Sequence, residues 1–268
     1  STGMKHCFEV FIRPNSKIIT LDPTFGMVNV YAKLFRAKQI KISFDNKLSL
    51  NYNKLINSIN KSVSMIMFAN PNSPTGTIIK SKDIIEIIKK AKKNNCYVVI
   101  DEAYFGFYNK SSLHLIKKFD NLIILRTFSK AYGLEGLRSG YIVSSKKNID
   151  QLYKFRPMYE INALAALVSE EIIKDGKILK KYVSDTSSGK KYLIKQLNNI
   201  GLESYDTFSN FILINFKTKK NQQRIFKLLT KNKILVRFPP DILACKNYLR
   251  FTLGPLSYMK MLVKVLKK

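Results

Sequence analysis

No apolar run in this 268-residue sequence approaches the ~20 residues that a helix needs to cross a bilayer, so no membrane span is expected. The opening residues, STGMKHCFEV, lack the basic, apolar and small-residue succession of a secretory signal. Cysteine is scarce as well. Cys7, Cys96 and Cys245 are odd in number and show no CxxC spacing. With only His6 and His114 beside them, they make no credible zinc site, and no metal is expected. Idle or buried thiols suit a reducing compartment, and a cytoplasmic location is the expectation.

Acidic residues are the largest shortage: 18 Asp and Glu face 47 Lys and Arg, giving a net charge of +29. Such an excess argues for a nucleic-acid partner. The lysines, however, fall in ones and twos along the whole chain. The densest cluster, KKAKKNN from Lys89, sits on the polar side of an amphipathic helical pattern. Aromatic-rich RNA motifs, basic arms and finger spacings are all missing. Lys, Asn and Ile are abundant together, as AT-rich coding produces. A solvated basic surface is therefore expected, attracting polyanions without specificity. A basic nucleic-acid-binding protein on a degenerate enzyme scaffold is the alternative from another class.

What is present reads as a globular core, since 46% of the residues are apolar. Apolar strand patterns at 17–21, 39–43, 64–70, 96–101, 121–126 and 140–144 alternate with helical ones. In SKDIIEIIKKAKKNN, Ile84, Ile87, Ile88 and Ala91 recur at helical spacing behind Ser81, a candidate cap. Nearly continuous apolar strands joined by helices predict an α/β fold, with a mainly parallel sheet covered on both faces. From about 145 the pattern changes to long helices, at 147–156, 161–182 and 185–199. Apolar runs NFILINF, ILVRF and YLRFTLG follow, with a helix near 220–230 and a basic one at the end. Two units are expected, 1–170 and a smaller α+β unit at 171–268. Residue 1 lies at the start of a helix, so the sequence reads as the later part of a longer protein.

Ligands on such sheets bind beyond the carboxyl ends of the strands, and the unusual residues gather there. Lys130 follows a strand in LRTFSKAYGLEGLRSGY and precedes a glycine-punctuated turn. A lysine partly desolvated beside other cations has a lowered pKa and can bond covalently to an aldehyde. Thr127 and Ser129 alternate with Phe128, so both hydroxyls can point one way, and with Arg138 they suit a phosphate. A solvated turn with ordinary charges is the other reading of these residues. Asp101 closes the apolar strand CYVVID ahead of Tyr104. A carboxylate there needs a cation. A protonated pyridine nitrogen is one candidate; a helix cap or an ordinary ion pair are the others. NPNSPTGT, Asn70 to Thr77, is a turn stiffened by Pro71 and Pro74, either of which is compatible with a cis bond.

In this combination and order, PTFGM, NPNSPTG, DEAY, RTFSKAYGLEGLRSGY and LRFTLG resemble the fold-type I pyridoxal-phosphate aminotransferases of classes I and II, most closely the histidinol-phosphate aminotransferase branch. The likeness spans essentially the whole chain. It implies pyridoxal 5'-phosphate as cofactor, bound covalently through Lys130. Asp101 would meet the pyridine nitrogen and Tyr104 the ring's phenolic oxygen. Ser129 and Arg138 would hold the phosphate with Thr127 in support, and Ser1 and Thr2 would do so from a helix N-terminus. Phe25 would stack on the ring, a core role being the other possibility. Arg250 would clamp the substrate carboxylate and Arg237 a second anionic group; either is otherwise a surface cation.

Ser73 stands where the family usually has asparagine, and Asn72 is the residue that would compensate. The family's N-terminal arm and the first part of its large domain, which supply substrate contacts and a tyrosine across a homodimer interface, have no counterpart here. The activity implied is amino transfer between an amino acid, by default glutamate, and an oxo substrate, with a small phosphorylated one as in histidinol-phosphate transamination among the candidates. A decarboxylase of phosphorylated hydroxy-amino acids is the runner-up, because the same residues serve it and only bond alignment differs.

Overall fold

The computed structural model describes residues 1–238 and 245–268. Its first part is a six-stranded sheet in the order β2-β1-β3-β4-β5-β6. The strands are β1 (Lys17–Asp22), β2 (Lys38–Ser43), β3 (Val63–Ala69), β4 (Tyr97–Asp101), β5 (Leu122–Thr127) and β6 (Gly140–Ser144). All neighbours pair parallel except β6, which runs antiparallel to β5. The expected mixed, mainly parallel sheet is what forms, and each strand lies within a residue of its expected bounds. Near-continuous burial of residues such as Val98, Val99 and Ile100 explains why: strands covered on both faces cannot alternate with polar residues.

Helices α1 (Thr2–Phe11) and α2 (Gly26–Leu34) cover one face; α3 (Tyr52–Ser58) and α4 (Ser81–Lys93) cover the other. In α4, Ile84, Ile87, Ile88 and Ala91 are buried while Lys89, Lys92 and Lys93 face water. Each buried isoleucine contributes roughly 1.5–3 kcal/mol. Ser81 is the first helical residue rather than the cap. Lys80 holds that position without a side-chain bond, so the apolar stripe sustains this helix.

Helices α5 (Lys146–Tyr153), α6 (Ala163–Asp175) and α7 (Lys177–Asn199) lead to a three-stranded antiparallel sheet of β7 (Glu203–Tyr205), β8 (Phe211–Asn215) and β9 (Tyr248–Thr252). Helices α8 (Lys219–Lys231) and α9 (Leu256–Leu266) pack on it around Leu193, Ile212, Leu249 and Leu262. The break between the long helices comes at Gly176, not at 183–184. A left-handed φ of 59° there ends α6 and starts α7, a conformation glycine adopts without strain.

Gly189 brings α7 against the chain leading into α9. A Cβ at this position would lie 2.0 Å from the Gly254 carbonyl oxygen, a backbone atom that cannot turn aside. Gly189→Ala is therefore expected to destabilise the fold by about 2–3 kcal/mol. Thermal unfolding reads that as a fall of roughly 5–10 °C in Tm.

Candidate active site

Sheet order reverses at β1, whose neighbours β2 and β3 lie on opposite sides, and a crevice is expected beyond the carboxyl ends at such a point. The loops after β1, β3, β4 and β5 all open there, into a cavity of about 1200 Å³. Arg237 and Arg250 close it from the second sheet. Ser1, Thr2, Phe25, Ser73, Asp101, Tyr104, Thr127, Ser129, Lys130 and Arg138 line the same space.

Asp101 ends β4 with its side chain at the cavity floor, where Oδ1 accepts the Ala103 backbone N–H at 3.0 Å. It is half-buried and lines the cavity. Among the described residues it has no ion-pair partner within 4.0 Å. Burial pushes its pKa up to about 6, partly offset by that N–H and by positive charges including Lys130. Lys130 sits on the loop after β5, and its pKa is lowered by burial and then by Arg250 and Arg237, while Asp101 pulls the other way. The two groups thus feel each other's charge within one cavity.

Tyr104 lines the same cavity. Its ring is 5.9 Å from the Lys130 Nζ and meets Phe211 edge-on at 5.6 Å. Arg250 in turn holds its guanidinium 5.0 Å from the Phe211 ring centre. Burial raises the Tyr104 phenol, and Ser73 and Arg250 hold it down in part. Arg237 and Arg250 bond to each other through both backbone N–H groups, at 3.2 and 2.8 Å, as an isolated antiparallel bridge. Among the described residues, ILVRF makes that single pairing rather than a strand.

Ser1, Thr2 and Gly3 at the start of α1 line the cavity, and the Ser1 hydroxyl makes no cap bond, so the first amides have no side-chain partner from it. Thr127 Oγ1 accepts the Ser129 N–H at 3.1 Å, which fixes the loop in front of Lys130. Phe25 is 40% exposed at the cavity wall, which excludes the core role.

Asn72 is the correction. Its Nδ2 donates to the Pro23 carbonyl at 3.1 Å and to Thr75 Oγ1 at 2.8 Å, bracing the turn. It lines a separate pocket of about 260 Å³ behind that turn, so it cannot compensate for Ser73. Both Asn70–Pro71 and Ser73–Pro74 are cis. Arg126 and Glu102, inside two of the quoted motifs, form a buried pair that the sequence reading did not single out.

These groups fit pyridoxal phosphate: an unpaired buried acid for a ring N–H⁺, a phenol, an amine with a lowered pKa, and a helix N-terminus with serine and arginine for a phosphate. Fold and site are those of a pyridoxal-phosphate-dependent enzyme. Residues 2–266 match the family Aminotransferase class I and II, and the chain belongs to it as a pyridoxal-phosphate-dependent aminotransferase of fold type I. Within the family it lies near the histidinol-phosphate branch. It is 40% identical over 249 residues to the histidinol-phosphate aminotransferase of Clostridium novyi, covering 92% of this chain and 68% of that one. The structure of the histidinol-phosphate aminotransferase from Clostridium acetobutylicum matches with a TM-score of 0.89 at 22% identity, over 98% of this chain and 79% of that one. The enzyme from Sinorhizobium meliloti, in complex with pyridoxal-5'-phosphate, matches with a TM-score of 0.88 at 18% identity, over 98% and 74%.

Proposed function

We propose that this aminotransferase moves an amino group from glutamate to a small phosphorylated oxo compound, and in reverse from an amine such as histidinol phosphate. The observation that supports it most is that Lys130 shares one cavity with an acid, Asp101, and two cations, Arg237 and Arg250, whose charges it feels. Pyridoxal phosphate, when bound, supplies the aldehyde that accepts the amino group and the ring that withdraws electrons. Asp101 would hold its ring nitrogen, Tyr104 its phenolic oxygen, and Phe25 its face. Ser129, Arg138 and the start of α1 would hold its phosphate.

Burial and two neighbouring arginines keep more of the Lys130 Nζ neutral than in a solvated lysine. The neutral amine would take the proton from the substrate's α-carbon as general base and, as general acid, give it up to the carbon that had been the cofactor's aldehyde. Arg250 orients the donor by pairing with its carboxylate, and Arg237 meets the second anionic group, carboxylate or phosphate. Two arginines facing one amine explain how one site accepts dicarboxylate and phosphorylated partners in turn.

Exposed Tyr153, Phe155, Met158, Tyr159 and Leu164 fall along one stretch of chain, and they support a homodimer that covers them. No described helix is long and apolar enough to cross a membrane. Cys7, Cys96 and Cys245 are unpaired and buried, which suits a cytoplasmic enzyme.

The test is a pair of half-reactions with the cofactor-loaded protein. Glutamate should yield 2-oxoglutarate with stoichiometric pyridoxamine phosphate, and so should histidinol phosphate with its oxo product. Carbon dioxide release from a phosphorylated hydroxy-amino acid would favour the decarboxylase instead. Arg250→Lys keeps the charge and loses the planar fork. It is expected to raise KM for glutamate about 30-fold, for a loss of roughly 2 kcal/mol, with a smaller change in kcat. Steady-state kinetics check this.

A further inference from the structure

Outside the groups assigned above, the most fully bonded charged cluster is Glu102 with Arg126. Their side chains are only 4% and 9% exposed. Glu102 follows Asp101 directly, and its backbone N–H donates to the Leu125 carbonyl at 2.9 Å, continuing the β4–β5 ladder by one residue. Glu102 Oε2 accepts from Arg126 Nε at 3.1 Å and from Nη2 at 2.9 Å. The Ser111 hydroxyl and the Ser112 N–H donate to the same carboxylate, at 2.8 and 2.7 Å. Arg126 Nη2 also reaches Ser111 Oγ at 2.8 Å, and its guanidinium lies 3.6 Å from the Phe105 ring centre. Arg126 immediately precedes Thr127 and itself lines the cavity.

We infer that Glu102 and Arg126 are positioning residues for amino transfer, tying the strand end that carries Asp101 and Tyr104 to the strand end that carries the Lys130 loop. This rests on the roles proposed for Asp101 and Lys130. A buried ion pair is weak evidence for stability, because apolar residues of similar volume often serve as well or better. Its location offers another reason to exist. Each partner is one residue from a reacting or orienting group, and a rigid cross-link there fixes the separation between acid and amine. Misplacement of such groups by about 1 Å is enough to lower rates 10²-fold. The Glu102 charge also acts on Asp101, raising its pKa, as the smallest of the causes that set it.

Two variants test this. The double variant Glu102→Leu with Arg126→Met replaces the pair by apolar residues and leaves no buried charge alone. It should melt near the wild-type temperature, with kcat reduced at least tenfold and KM for glutamate changed less than about twofold. Glu102→Gln removes only the charge. In the cofactor-free protein, the NMR titration midpoint of the Asp101 carboxyl should move down by about half a pH unit or more. An unchanged kcat in the double variant together with an unchanged midpoint in Glu102→Gln overturns the inference. The midpoint needs neither cofactor nor substrate, so it is read even if the proposed substrates are wrong, and the wild-type half-reactions judge those separately.

Discussion

Replacing Lys130 by alanine is expected to abolish amino transfer, with kcat reduced at least about 10³-fold. A lysine must lose its proton to bond to an aldehyde or act as a base. Lys130 is set apart by partial burial and by Arg250 and Arg237, all of which lower its pKa. The amine should therefore be the site of covalent cofactor attachment. Mixed with pyridoxal phosphate, the wild-type protein should show a visible band that borohydride removes, leaving a stable pyridoxyl group on Lys130 by peptide mapping. Lys130→Ala should show neither. Its stability should be little changed, because the alanine relieves a desolvated cation that has no ion-pair partner among the described residues. A pyridoxyl group mapped to another lysine would overturn the site.

The parts of this site that could be read beforehand share a physical basis. Val63–Ala69 and Tyr97–Asp101 are apolar runs that end abruptly in polar residues, and a parallel sheet places all such ends at one edge. Local pattern therefore located Asp101, Tyr104 and Lys130 together. Contacts without a local signature stayed hidden. Arg126 and Glu102 meet because two strands align in one register, and nothing in either segment marks its partner. The pairing of Arg237 with Arg250 is equally non-local. Asn72 was misplaced because two adjacent polar residues in a proline-stiffened turn, Asn72 and Ser73, line different pockets. Ser81 was a plausible cap by residue type alone, yet it is the first helical residue, and Lys80 holds the cap position without a side-chain bond.

Asp101→Asn should give two effects of opposite sign, and their combination identifies the acid's purpose. In the cofactor-free protein the carboxyl is held at about 6, against an ordinary value of 3.8, chiefly by burial. Between those values the folded chain binds more protons than the unfolded one, so stability falls as pH rises through that window. Above about pH 6 the burial of the charge costs a constant amount, of order 3 kcal/mol at about 1.4 kcal/mol per pH unit. Asparagine keeps an oxygen for the Ala103 N–H and removes the charge. The variant should accordingly melt roughly 5–10 °C above wild type at pH 8, and the gain should vanish near pH 4, where the wild-type carboxyl is already neutral. Activity should move the other way. Without a carboxylate to hold a protonated ring nitrogen, kcat should fall by about 10²–10⁴-fold, the range expected when a charge-stabilising partner is lost. Scanning calorimetry across pH and single-turnover kinetics measure the two effects. A variant no more stable than wild type at pH 8 would mean that Asp101 carries its charge without strain, and the case for a waiting cation site would fail.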